Sequence, residues 1–227
     1  MIPLLFGLGV TLAAYALSRW IGRRFPSPLT VPVLLSTPVV MVVILVSGLG
    51  LEGYRPASTA IAWWLGPATV ALAVPLHRHR QVLIDHGARV AGAVLGGTAV
   101  AMLSGVGLAR LLGLAEPLQG ALGLKSATAP VAIALAADVG ADPPVVAGIV
   151  VASALLGSVV GPALLTRLRI RGPLARGLAL GTIASGQGTA QALREGDLTG
   201  AAASVAMALA ALAVAVLAVP LGAMLQR

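Results

Sequence analysis

The stretch "GLKSATAPVAIALA", Gly123–Ala136, places a lysine, two hydroxyls and a proline at the mouth of an apolar run. If the run lies in lipid, a lysine at its centre costs about 2.5–3.5 kcal/mol on insertion scales, and such a residue then has a function by default. The surrounding chain decides whether it does. Of 227 residues, 58% are hydrophobic and 10% charged, with a mean hydropathy of +0.99. Soluble domains carry about 25% charged residues, so this chain has too few to cover a water-facing surface. Aromatics are scarce while Gly (28) and Pro (15) are plentiful, which suits closely packed, interrupted membrane helices.

Outward from Lys125 the chain divides into apolar segments near 2–18, 29–49, 57–76, 88–112, 120–138, 144–166, 174–193 and 199–225. About 20 apolar residues are needed to cross a bilayer. The expected fold is therefore all-α and polytopic, with about 6–8 hydrophobic segments in one integral membrane domain, 1–227. The third segment carries Pro67 and Pro75. The fifth and seventh hold too many Gly and polar residues for uninterrupted lipid-facing helices; "TIASGQGTAQAL", Thr182–Leu193, is small and polar over two turns. Non-helical backbone survives at membrane depth only where protein or a wet cavity satisfies it, so both are expected to be broken or re-entrant.

The net charge is +8. The arginines cluster between apolar segments, at Arg19, Arg23 and Arg24, at Arg78 and Arg80, and at Arg167, Arg169, Arg171 and Arg176. Positive-inside anchoring accounts for this pattern, and no basic stripe interleaved with aromatics suggests nucleic acid. Placing all three clusters on the cytoplasmic side requires 113–143 to enter and leave from one face. The chain has no cysteine, which excludes disulfides and thiol chemistry. The N-terminal apolar run has arginines after it, not before it, and reads as a retained span.

Internal similarity is weak. "LTVPV" (Leu29–Val33) matches "ATAPV" (Ala127–Val131) at an offset of 98, and "GPATVAL" (Gly66–Leu72) matches "GPALLTR" (Gly161–Arg167) at 95. This suggests related halves of about 25–112 and 120–227, an arrangement common in secondary transporters. The alternative is that Thr-x-Pro and Gly-Pro are ordinary membrane kinks.

Two constellations carry chemistry. Pro130 is tolerated at a helix start, so "SATAP" reads as the entry to a half-helix over about 129–137. Its free N–H groups and partial positive charge, with the Lys125 ammonium and the Ser126 and Thr128 hydroxyls, form a receptor for a small carboxylate. In the competing reading Lys125 snorkels to the interface and the hydroxyls cap. In "GTIASGQGTA", Gly181–Ala190, glycines permit unusual backbone, while Thr182, Ser185, Gln187 and Thr189 offer uncharged donors and acceptors. Either they line a cavity or the small residues pack helices closely.

The remaining polar residues say less. His77, His79 and His86 sit in or beside a basic loop without a completing carboxylate, so no metal site is expected. Glu52, Glu116, Glu195 and Asp197 are placed in loops, and Asp138 and Asp142 bound a loop-like "DVGADPP". "ASGQ" around Ser185 is similar to the Gly-x-Ser-Gly of rhomboid proteases, but Ile183 replaces the first Gly and no histidine follows to activate the serine. No enzyme activity and no cofactor are expected.

The stretches "WWLGPATVALAVPLHRHR", "LKSATAPVAIALAADVG" and "ARGLALGTIASGQGTAQALREGDLTGA" resemble the LrgB/CidB family of bacterial membrane proteins, over about Pro3–Leu221. That family is described as holin- or antiholin-like and linked to murein hydrolase export. It also includes the plastidial glycolate/glycerate translocator, and its bacterial members are associated with pyruvate-type uptake. The resemblance implies a bacterial inner-membrane transporter or facilitator of small monocarboxylates of the glycolate, glycerate, lactate or pyruvate class. The alternative is a holin/antiholin-like pore component or regulator of hydrolase export. By position Lys125, Ser126, Thr128 and Pro130 match the family's Lys-Ser-x-Thr-x-Pro element, and Gly66, Pro67 and Thr69 its Gly-Pro-Ala-Thr element. Gly181, Thr182, Gly188 and Thr189 match the flanks of Gly-Thr-x-x-His-x-x-Gly-Thr. Here Ser185 replaces the histidine and Gln187 adds an amide, which puts proton coupling at this position in doubt. The resemblance also implies an LrgA/CidA-type membrane partner; a homo-oligomer, most simply a homodimer, is expected.

Overall fold

A computed structural model describes residues 2–25, 30, 32–71 and 73–225. Among these the chain is all-α, with no strand. It packs as two compact units, Met1–Ala71 and Leu72–Arg227.

The first unit holds α1 (Ile2–Arg24), α2 (Pro32–Val46), α3 (Gly50–Trp63) and α4 (Leu65–Ala71). α1 packs on α3 where Gly7 leaves room for Ala57 and Tyr54, and the Thr11 hydroxyl meets Tyr54 Oη at 2.9 Å. The apolar segment expected at 57–76 is not one helix. It is divided among α3, α4 and α5 (Ala73–Arg78); Pro67 and Pro75 lack the N–H a continuous helix would use. α2 has 15 residues, short of the length that crosses a bilayer unaided. Leu29 and Val31 of the first repeat stretch, and Leu72 of the second, lie outside the described residues.

The second unit continues with α5, α6 (Arg80–Asp85), α7 (Gly87–Leu111), α8 (Glu116–Gly123), α9 (Ala129–Ala134), a 3-10 turn (Ala137–Val139), α10 (Pro143–Arg167), α11 (Pro173–Glu195) and α12 (Asp197–Leu225). Four described helices, α1, α7, α10 and α12, are long and apolar enough to span a membrane. The acidic residues expected in loops fall instead at helix ends. Glu52, Glu116 and Asp197 occupy first turns, where a carboxylate complements the helix dipole, and Glu195 closes α11.

The segments on either side of α10 turn back on themselves. α11 contains Ser185 at φ 45°, ψ −130°, outside helical space, which divides it into two arms. Arg176 of the first arm and Glu195 of the second form an ion pair at 2.6 Å. On a straight helix their separation of 19 positions would span roughly 28 Å. A Cβ at Gly188 would likewise overlap the Leu180 carbonyl, so the arms lie side by side. The segment before α10 does the same. Leu124–Thr128 interrupts the helix, and a Cβ at Gly120 would run into the Val139 backbone and side chain, again 19 positions on. We call these hairpin A (Glu116–Val139) and hairpin B (Pro173–Glu195).

Short links join hairpin A to the start of α10 and hairpin B to its end. α10 has 25 residues, roughly 37 Å of helix, so the hairpins point toward each other from opposite ends. α12 runs alongside both. Gly181 sits against the Ala203 backbone and Gly177 against Thr199, while farther along Leu221 abuts Gly123 and Gly222 the Asp138 carbonyl. Its Ala201, Ala202, Ala203, Ala206, Ala210 and Ala218 are fully buried. Such small residues let backbones approach closely where lipid supplies no hydrophobic drive for association.

Candidate functional site

The tips of the two hairpins touch. Ser185 Oγ, at the bend of hairpin B, donates to the Ala127 carbonyl at 3.1 Å and to the Ser126 carbonyl at 3.4 Å, both in the non-helical turn of hairpin A. Thr189 Oγ1 donates to the Ser185 carbonyl at 3.0 Å, one turn back along the second arm. The bend survives because its surroundings determine it: Gly188 lies against Leu180, and the Arg176–Glu195 pair closes the outer end. Arg176 also donates to the Ile170 carbonyl at 3.0 Å and the Pro162 carbonyl at 3.3 Å, tying the hairpin to the end of α10. Sequence reasoning gave Arg176 to interfacial anchoring and Glu195 to a loop. The flanking of one polar segment by opposite charges was the available signal.

Lys125 precedes this contact directly. It is half-buried, and its ammonium donates to the Ala101 carbonyl of α7. Ala101 lies near the middle of α7, so the side chain turns inward along the hairpin and does not reach for the helix end as a snorkelling lysine does. One face of α7 accommodates it. At Gly105 an added Cβ would stand 2.9 Å from Lys125 Nζ and 2.7 Å from the Leu122 carbonyl. Thr98, one turn before Ala101 on that face, is fully buried. Sequence reasoning passed over Thr98, Ala101 and Gly105, because a small-residue face on an apolar helix looks like ordinary packing until its neighbour is known.

Two hydroxyls of this region, Thr98 Oγ1 and Ser126 Oγ, are buried without a hydrogen-bond partner. Buried polar groups are nearly always paired, so these two hydroxyls are exceptions in the packing of the second unit. Thr128 takes the N-cap position of α9, but its hydroxyl makes no capping bond. α9 stops at Ala134, shorter than the half-helix expected over 129–137, and the chain tightens into the 3-10 turn. Six residues carry little macrodipole, which shifts the weight of any anion recognition to Lys125 and the hydroxyls. Pro130, the second residue of α9, is exposed.

The other expected site residues divide as follows. Thr182, Gly188 and Thr189 are buried on hairpin B, and Gln187 is half-buried beside them. Gly97 of α7 faces Thr182, whose methyl would lie 3.8 Å from a Cβ there. Thr69 is on α4 in the first unit, and its side chain lies outside the described residues. The second unit thus brings together Lys125, Ser126 and Ser185, with Thr182 and Thr189 on the same hairpin.

A family model described as the LrgB-like family matches residues 11–224. The Bacillus subtilis (strain 168) protein named uncharacterized protein YxaC is 36% identical over 202 residues, covering 89% of this chain and 88% of its own. A second protein of that strain, named uncharacterized protein YwbG, is 34% identical over 204 residues, covering 90% and 91%. The antiholin-like protein LrgB of Bacillus cereus (strain B4264) is 26% identical over 203 residues, covering 89% and 88%. No solved structure matches the chain.

Proposed function

This chain belongs to the LrgB-like family, and on that premise we propose that it is an antiholin-like protein of the bacterial inner membrane. In this reading it governs passage through the bilayer, and with it murein hydrolase release, together with an LrgA/CidA-type membrane partner. The name of its Bacillus cereus relative carries the reading. The meeting of two opposed hairpins supports it physically. A barrier held by the Ser185 contact to the Ser126–Ala127 turn is thin, and a route could open or close there.

The re-entrant reading of both hairpins belongs to this proposal. Hairpin B's outer end lies with the basic Arg167–Arg176 stretch, and Asp197 beside it pairs with Arg78 at 3.7 Å. Positive-inside bias puts that end in the cytoplasm. Hairpin A then dips in from the opposite face, as the arginine clusters require. Hairpin A followed by α10, and hairpin B followed by α12, repeat one arrangement in opposite senses, the kind of architecture carriers use. The same proposal includes repeat halves of about 25–112 and 120–227 and a homodimer.

The test is expression in a host lacking its own pair, with and without the LrgA/CidA-type partner, following autolysis rate and extracellular murein hydrolase activity. The reading requires both to change with the protein; identical values with and without it would overturn the reading.

A second reading, carriage of small monocarboxylates, is favoured by the inward Lys125 ammonium beside unpartnered hydroxyls. Lys125 would hold the carboxylate, and Ser126, Ser185, Gln187 and Thr189 the neighbouring oxygen. Flux of labelled glycolate, lactate or pyruvate into proteoliposomes separates the two readings. A carrier saturates and is inhibited by competitors, whereas a holin-like pore leaks unrelated solutes without saturation.

A further inference from the structure

Between α10 and the first arm of hairpin B lies an apolar groove of about 440 Å³. Its floor is set by two glycines. A Cβ at Gly157 would stand 2.9 Å from Ala184 Cβ, and one at Gly161 the same distance from Leu180 Cδ2. The helices therefore touch at the glycines and diverge beside them, between walls that include Leu156, Val160, Leu164 and Ile183. From Leu156 to Leu165 the groove follows α10 for roughly 14 Å. That is about half of a 30 Å hydrocarbon core, the depth of one leaflet. Its inner end reaches Ile183 and Ala184, immediately before the Ser185 bend.

Its outer end points at charge. α10 ends at Arg167, less than a turn beyond Leu165, and Arg169 and Arg171 follow in the link to α11. All three are exposed, and among the described residues none is paired with a carboxylate. Arg176, by contrast, is committed to Glu195. Arg169 adopts φ 59°, a left-handed conformation unusual for a side-chain-bearing residue. A groove one leaflet deep, apolar throughout and opening onto three uncommitted arginines, is complementary to a molecule with a long hydrocarbon tail and a negative head.

We propose that the groove between α10 and hairpin B binds an anionic phospholipid, one acyl chain lying along Val160, Leu164 and Ile183 and the phosphate held by Arg167, Arg169 and Arg171. Basic residues beside membrane helices attract anionic headgroups strongly enough to be selective. The acyl chain ends against the residues that lead into the Ser185 bend, so the lipid braces the hairpin arm whose tip meets hairpin A.

The test equilibrates the purified full chain with mixed micelles of equimolar phosphatidylglycerol and phosphatidylcholine, then measures retained lipid by native mass spectrometry. Three basic residues predict enrichment of phosphatidylglycerol by roughly tenfold or more. The triple variant Arg167→Gln, Arg169→Gln, Arg171→Gln should lose that preference. Val160→Trp, at an exposed position on the groove wall, should retain less lipid with the arginines intact. Leu156→Trp, farther along the wall, serves if Val160→Trp loses helicity. Equal retention of the two lipids by the native chain overturns the proposal, as does a preference that survives the triple variant. Undiminished retention in the groove variants also overturns it, and so does a lipid-free dimer that Val160→Trp dissociates, which would make a second copy the occupant.

Discussion

Arg176 and Glu195 stand 19 positions apart in one α-helical segment yet share two hydrogen bonds, 2.6 Å from Nε and 2.9 Å from Nη2. Both side chains are mostly shielded, at 14% and 19% exposure. Their meeting defines hairpin B. A charge-assisted, two-point pair is stronger than an ordinary surface contact, and Arg176 simultaneously satisfies backbone carbonyls at the end of α10.

Arg176→Met should therefore cost more than Glu195→Gln. The first strands the Ile170 carbonyl and the Glu195 carboxylate, whereas the Pro162 carbonyl keeps its bond from the Thr166 hydroxyl; the second leaves an amide oxygen that still accepts from the guanidinium. Losses of about 2–3 and about 1 kcal/mol are expected, read as thermal unfolding in detergent. Equal and negligible shifts would mean that the pair does not hold the hairpin.

At Ser185 the backbone and the side chain make opposing demands. A φ of 45° with ψ −130° suits glycine and strains other residues by about 1–3 kcal/mol. The hydroxyl meanwhile contributes about 1 kcal/mol through the Ala127 carbonyl. Ser185→Gly should leave stability near the native value, Ser185→Ala should fall by about 1 kcal/mol, and Ser185→Val should fall further, since branching at Cβ worsens the strain. The order Gly, Ala, Val in melting temperature is the check. Alanine as stable as glycine would show the bend to be unstrained.

The glycines of hairpin B are not equivalent. A Cβ at Gly181 would collide with the Ala203 backbone and one at Gly188 with the Leu180 carbonyl, whereas Gly186 has open space around it. Gly181→Ala and Gly188→Ala are expected to destabilise by about 3 kcal/mol or more, because backbone cannot step aside as a side chain can. Gly186→Ala should instead stabilise by about 0.5–1 kcal/mol through helix propensity. The contrast is measurable as folded yield and melting temperature of the three single variants.

What the sequence could reveal follows the range of the interactions involved. Lys125–Pro130 and Thr182–Leu193 break helical patterning locally, so both interruptions were visible as composition. That each arm folds back depends on contacts such as Gly120 with Val139 and Gly188 with Leu180, for which no local pattern exists. The offsets of 95–98 pair stretches that fall in different units. The hairpins begin 57 positions apart, at Glu116 and Pro173, each with a proline in its first two positions, a likeness too slight to stand out in so biased a composition. Lys125 was recognisable by its charge. Its acceptor, a backbone carbonyl on α7, was invisible, since any residue can supply one.

Thr98 gives the sharpest separation of architecture from function. Its hydroxyl is fully buried and unpartnered, so Thr98→Val keeps the shape and removes only an unsatisfied group. Such a change is neutral or stabilising by up to about 1 kcal/mol. If solute passes along the face of α7 that Lys125 contacts, as the carrier reading proposes, flux should drop in Thr98→Val although the protein melts at the same or a higher temperature. Thr98→Ser, which restores the hydroxyl, should recover the flux. Were the hydroxyl a structural element, Thr98→Val would lower melting temperature and flux together; if flux were unchanged by both substitutions, the route would lie elsewhere.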